Sequence, residues 1–356
     1  MVNSNVMDHG SSVGIQFSRL SFEDIPSISK LLMSTWPQNY GKVGSPVFSK
    51  DHLEWMLGGP NKSKNVLVGG KIDDELVAYQ TFLFRRVAHN GVTMNGYLCT
   101  HVAISPQLPA KLRFHCVLQM SKQHALFMES SDFYQPEGDL VYAFYDEGKQ
   151  QVKEVLDKIL KKNFRIERQV YSLSSQHIVL PNRLKEYLRE DSVKKAYFEV
   201  RPVLEGEVSE VTQLFNHAPN GLCFTMQMTE DELRHHCLGH SDHHMYVVVY
   251  DGAIEAFINF YPLEIIKQGS IYKYIVVEFL ITRGPDDVYV ASLLGKALDF
   301  GEKIGAEAIV LENATYLDYS LCCKVGLVPS FRKMIMTVTS RDPLMECLPR
   351  FRIDVK

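Results

Sequence analysis

The sequence predicts an α/β protein of two tandem domains, each a mixed, twisted β-sheet flanked by helices. Three observations carry this. At 356 residues the chain exceeds the size at which one hydrophobic core stops growing. Runs that alternate apolar and polar residues, the period of a strand, are interleaved with stretches of helical spacing. Finally, one order of elements, β-α-β-β-β-α-β-α-β, occurs twice, and a unit this long means two homologous domains rather than a solenoid. The spans are 13–180 and 195–345. The polar, helix-patterned "LPNRLKEYLREDSVKKA" between them is the join.

In the first copy, "IQFSRL" (15–20) reads as a strand and "SFEDIPSISKLL" (21–32) as an amphipathic helix capped by Ser21 with acids just behind it. Between 65 and 105 come three apolar strands, separated by the turns "GKIDDE" and "HNG". Helical spacing returns in "RFHCVLQMSKQHALFMES" (113–130), then a strand "LVYAFYD" (140–146), a charged helix (149–163) and a strand "RIERQVYSLSS" (165–175). The second copy begins with "YFEVRPV" (197–203) and a helix at 205–218. A hairpin around Asp251-Gly252 and the strand "YKYIVVEFLIT" (272–282) follow. It closes with a helix (287–305), a strand (306–313), a short helix that Gly326 can end, and "FRKMIMTVT" (331–339) as a last strand.

Composition narrows the function. A hydrophobic content of 46%, a charged content of 22% and a net charge of −4 describe a globular chain without global attraction to nucleic acid or anionic membrane. The lysines near 153–168 alternate with acids, as on a solvated face. No window holds eighteen apolar residues, and the first fourteen residues lack the apolar core of a signal peptide. Seven cysteines without C-x-x-C spacing fit reduced thiols in the cytosol or nucleus, and a cytoplasmic location is expected.

One junction stands out: "GYLCTHVAISPQLPAKLRF" (96–114), a strand, a short loop and a helix start. The strand and helix order resembles the GNAT superfamily of N-acetyltransferases in each half, so the whole resembles two tandem GNAT-like domains. Within that superfamily the chain is most similar to the protein N-myristoyltransferases, themselves two fused copies. "YLCTH" (97–101) is similar to that family's "FLCVH" strand. "FINFYPLE", "YIVVEFLIT" and "LLGKALDFGEKIGAEAIVLENATYL" are similar to its peptide-binding half.

The resemblance implies an N-acyltransferase in which an amine attacks the thioester of acyl-CoA or acetyl-CoA directly. The backbone of Tyr97 and Leu98 would donate to the thioester carbonyl. The phosphate-loop signature of the superfamily, Gln or Arg, two residues, Gly, one residue, Gly or Ala, falls on Gln107 to Leu112, so Ile104, Gln107, Ala110, Lys111 and Arg113 are the expected coenzyme-binding residues. Ala110 stands where Gly belongs, Leu112 replaces a small residue, and Pro109 removes an N–H donor. The second-half loop carries Asp286 and Asp287, which would repel a pyrophosphate but suit a helix start, so one coenzyme site is expected, in the first half. Neither half has the superfamily's Tyr four residues before the closing helix Gly: those positions are Ile159 and Cys322. The resemblance then implies the C-terminal carboxylate of Lys356 as base, with "PRFRIDVK" extended between the domains. A solvated tail is the alternative.

Other residues carry two readings each. His101 is a base or a structural partner of its strand; Glu278, a carboxylate in an apolar strand, binds an amine or is a buried hydrogen-bonded acid. Tyr145, Asp146 and Glu147 end a strand at the expected cleft. His235, His236, His240, His243 and His244 are the densest candidate metal ligands. The "TEDE" box places His236 and His240 one turn apart, but a solvated helix end is expected and no metal. The expected acceptor is an amine, peptide or small molecule. The rival readings are a pseudoenzyme acting as an interaction or ligand-sensing module, and a short-chain acetyltransferase.

Overall fold

The computed structural model describes residues 14–40, 44–89, 92–129, 140–146, 167–174, 176–190, 197–217, 224–284, 286–312, 317–330, 333–340 and 351–352. The first half comprises β1 (Gln16–Arg19), α1 (Ile25–Tyr40), β2 (Ser45–Pro46), α2 (Lys50–Leu57), β3 (Val66–Ile72), β4 (Glu75–His89), β5 (Val92–Ile104), α3 (Ala110–Glu129), β6 (Leu140–Asp146) and β7 (Glu167–Ser174). Then follow β8 (His177–Val179), α4 (Pro181–Leu188), β9 (Glu199–Pro202), α5 (Val208–Asn216), β10 (Phe224–Gln227), α6 (Glu230–Leu238), β11 (His244–Tyr250), β12 (Ala253–Lys267) and β13 (Ser270–Thr282). The chain closes with α7 (Asp287–Ile304), β14 (Ala308–Leu311), α8 (Tyr319–Lys324), β15 (Leu327–Pro329), β16 (Lys333–Ser340) and β17 (Phe351–Arg352). The charged helix expected over 149–163 lies outside the described residues.

These strands form two mixed sheets. Sheet one runs β1-β3-β4-β5-β6-β16-β7, with β10 on β4 and β17 on β10; sheet two runs β15-β8-β14-β13-β12-β11-β9, with β2 on β12. Local chemistry starts the elements as expected. Ser21 caps the turn that leads into α1, and Thr229 and Glu232 form the capping box of α6. The hairpin turns at Asp73-Asp74 and Asp251-Gly252 take positive φ at both residues, the twist that two-residue hairpins need.

Strand exchange is what the sequence pattern does not reveal. The strand expected to close the second domain is β16, and it sits in sheet one, antiparallel to both β6 and β7. Reciprocally, β8 inserts between β14 and β15 of sheet two. A short alternating strand satisfies its backbone equally well on any free edge, so periodicity carries no information about its partner. The cores interlock as well. Ile28 and Leu32 of α1 and Leu53 and Trp55 of α2 pack in one cluster with Leu83 and Leu98 of sheet one and with Tyr261, Val276 and Val310 of sheet two. On the other face of sheet one, Cys116 and Met120 of α3 cover Phe82, Phe84 and Tyr97. The α4 helix at the expected join buries Leu184 and Tyr187 beside α7 in the core of sheet two.

Candidate active site

The parallel strands β5 and β6 are paired from Gly96 opposite Leu140 to Cys99 opposite Ala143, then part, although β5 runs on to Ile104 and β6 to Asp146. A crevice between the carboxyl ends of parallel strands exposes backbone groups that no neighbour uses, which is where α/β sheets bind ligands. At the parting point β5 bulges: Thr100 faces Thr81 and Ala103 faces Tyr79, so His101 and Val102 together oppose Gln80. His101 has φ +53 and is buried. Its ring stacks on Trp36 at 5.8 Å and meets Phe48 edge-on at 5.3 Å, while the Trp36 indole donates to the Val102 carbonyl at 3.1 Å. Trp36 of α1 and Phe48 of the loop before α2 therefore hold a bulge in a strained backbone region.

The second half repeats this device. β13 and β14 are paired only from Tyr274 opposite Ala308 to Val277 opposite Leu311. Beyond that point Asn259 faces Phe279 and Phe260 faces Val277, leaving Glu278 as the extra residue of a second bulge. Each bulge thus opposes a buried amide side chain, Gln80 or Asn259.

The helix starts beyond the two crevices differ. α3 begins at Ala110 after a loop without a carboxylate, and Gln107, Ala110, Lys111 and Arg113 are all exposed there, with Ile104 half-buried at the strand end. At α7, Asp286 accepts from Val288 N–H at 2.9 Å and Tyr289 N–H at 3.1 Å, and Asp287 is ion-paired with Lys324. An anion at the α7 start would have to displace a carboxylate already in place, whereas the α3 start presents a dipole end and two cations.

Tyr97 and Leu98 are fully buried and lie inside the paired part of β5, opposite Val141 and Tyr142, just before the strands part. Burial pushes the Cys99 thiol beside them up to about 11, against a hydrogen bond from Gln80, so it is protonated at neutral pH and unsuited to act as a nucleophile. Glu278 is buried, with Oε1 3.5 Å from His236 Nδ1 on α6. Lys356 and Glu147 lie outside the described residues; Phe351–Arg352 runs parallel beside β10.

Among solved structures, the chain is similar to N-myristoyltransferase of Saccharomyces cerevisiae with bound myristoyl-CoA: 12% identity, 98% of this chain and 89% of that one covered, TM-score 0.64. A second structure of that enzyme, with myristoyl-CoA and inhibitors, matches at 13% identity over 97% and 86%, TM-score 0.65. A conserved protein of unknown function from Enterococcus faecalis V583, a probable N-acyltransferase, matches at 10% identity over 91% and 72%, TM-score 0.52. The chain has the tandem GNAT-like fold of the N-myristoyltransferases. At such identities the likeness establishes the fold alone. No protein-family model matches the chain, and no curated protein matches it in sequence.

Within this N-myristoyltransferase fold the histidine-rich stretch is placed differently from the expectation. α6 ends at Leu238 with Gly239 as its cap, so His240 lies beyond the helix and is not stacked one turn above His236. Among the described residues no three His, Cys, Asp or Glu side chains converge as metal ligands. The histidines serve the junction between the halves instead: His235 Nε2 is 2.8 Å from the Trp55 carbonyl, and the Trp55 indole donates to the His235 carbonyl at 3.2 Å. Beside this contact lies a cavity of ≈ 420 Å³, walled by α2, the loop after α6, β12 and the end of α7. Sequence reasoning missed Trp36, Trp55 and Tyr261, because an aromatic at helical or strand spacing reads as core until its partners are known. Among the described residues no helix is long and apolar enough to cross a membrane.

Proposed function

We propose that the chain is an acyl-CoA-dependent N-acyltransferase whose first half binds the coenzyme thioester. The observation that carries this reading is the contrast between two otherwise matching crevices: the loop into α3 contains no carboxylate and is followed by Lys111 and Arg113, whereas Asp286 occupies the α7 start. The N-myristoyltransferase structures hold myristoyl-CoA. In this chain Gln107, Ala110, Lys111 and Arg113 would hold the phosphates, and Ile104 would border the pantetheine arm.

The acceptor amine attacks the thioester carbonyl carbon, an N–C bond forms, the C–S bond breaks, and CoA leaves with the proton given up by the amine. Backbone N–H groups of β5 just beyond Tyr97 and Leu98, where β6 no longer pairs with it, stabilise the oxyanion. His101, clamped by Trp36 and Phe48, positions that strand. A general base takes the acceptor's first proton so that the neutral amine attacks, and Glu278, buried beside His236, binds the acceptor amine. Cysteines without C-x-x-C spacing, several of them buried, suit the reducing cytoplasm.

A pseudoenzyme is the second reading, favoured by Pro106 and Pro109 in the first-half loop, which lack N–H donors, and by Asp286 and Asp287 in the second. Calorimetric titration with free CoA and with non-hydrolysable acyl-CoA analogues of two, eight and fourteen carbons separates the two. Affinity that rises with chain length supports a long-chain acyltransferase. Equal affinity for all of them supports a short-chain enzyme, and no binding to any leaves the pseudoenzyme.

A further inference from the structure

The geometry points to the cavity between the halves as a binding site for an alkylammonium group, a protonated amine carried on an aliphatic chain. Its wall is aromatic. The Trp55 ring lies 4.3 Å from His243 and 5.5 Å from Tyr261, and His243 stacks on Tyr261 at 4.6 Å and 13°. Ring faces carry partial negative charge and attract cations, most strongly at tryptophan.

Its charges have the matching sign. Asp51 on α2 and Asp242 on the loop after α6 both line it and both reach solvent. Glu264 and Lys273, also lining it, face each other across β12 and β13 and offset one another, so a carboxylate excess remains. Behind the wall the buried Glu278 approaches His236 at 3.5 Å, and His236 meets Trp55 edge-on at 6.1 Å. A cation in the cavity therefore meets the Asp51 and Asp242 carboxylates beside an aromatic wall.

The volume exceeds what an inorganic ion fills and suits an amine with several methylenes. Two sources share this chemistry, a free polyamine and a lysine side chain of a peptide. The lining residues are distinct from the proposed coenzyme loop and do not include Glu278, so amine binding in the cavity is read separately from coenzyme binding.

The test is fluorescence titration of the full chain. Trp36 and Trp55 are its two tryptophans, so W36F leaves Trp55 as reporter, and calorimetry on the wild-type chain reads the same binding if W36F does not fold. The probes are spermidine, an N-acetylated Gly-Ser-Lys amide whose ammonium is on the lysine side chain alone, and octane-1,8-diol as a neutral control, at constant ionic strength. Saturable binding of spermidine, of the peptide or of both, absent with the diol, is expected, and which of the two binds identifies the source. The double variant Asp51→Asn/Asp242→Asn, changed only at exposed positions, should bind about tenfold more weakly. No saturable binding of either amine, an equal response to the diol, or undiminished binding by the double variant would overturn the proposal. Coenzyme titration on the same samples reports separately on the first-half site.

Discussion

Glu232, on the first turn of α6, accepts a hydrogen bond at 2.7 Å from the Arg86 guanidinium on β4, so a single carboxylate ties the two halves together. It also takes the Thr229 N–H at 2.5 Å and the amide of Asn61. Burial pushes its carboxyl up, but the bonds from Thr229, Asn61 and Arg86 outweigh burial and hold it below the ordinary carboxylate range.

A carboxyl lowered in the folded state contributes stability above its unfolded value and loses it as pH falls through the folded one. Urea unfolding should therefore show stability dropping below about pH 4.3. Glu232→Gln should lessen that drop and cost about 2 kcal/mol at neutral pH. An identical pH profile in the variant would show that the junction does not titrate through Glu232.

The two helix starts make opposite predictions for one ligand. Lys111→Glu places a carboxylate at the α3 start and should weaken CoA binding by about tenfold or more. Asp287→Asn, which loosens the Lys324 pair at α7, should leave CoA binding unchanged. Equal effects in calorimetry, with both variants folded, would remove the coenzyme from the first half.

His101 at φ +53 occupies a region that Asn tolerates and β-branched residues do not. His101→Val should cost about 1–3 kcal/mol and distort the bulge. His101→Asn should keep the backbone while losing the ring contacts to Trp36 and Phe48. Unfolding midpoints that rank Val at or above Asn would contradict a strained backbone here.

Gly96 begins the paired part of β5, where a Cβ would lie 2.6 Å from Val87 Cγ2, 3.2 Å from the Tyr142 ring and 3.3 Å from the Arg85 carbonyl oxygen. Gly96→Ala should push β5 away from its neighbours at a cost of about 1–3 kcal/mol. The readout is the thermal midpoint together with acyl-CoA affinity, both of which should fall.

Periodicity, caps and turns act within a few residues, so the α/β class, the Ser21 and Thr229 caps and the Asp251-Gly252 hairpin were legible in the chain alone. The sequence also marked the loop from Gln107 to Arg113 and the acids of the second loop, because a helix start and its charges are adjacent in the chain. What the tertiary structure alone decided depends on residues far apart. The place of β16 between β6 and β7 depended on which sheet edges were free. That His101 and Glu278 stand at matching bulges came from register against β4 and β12, a long-range property that no local pattern encodes. The cavity between the halves exists only because packing brings Trp55 and Tyr261, some two hundred residues apart, to 5.5 Å.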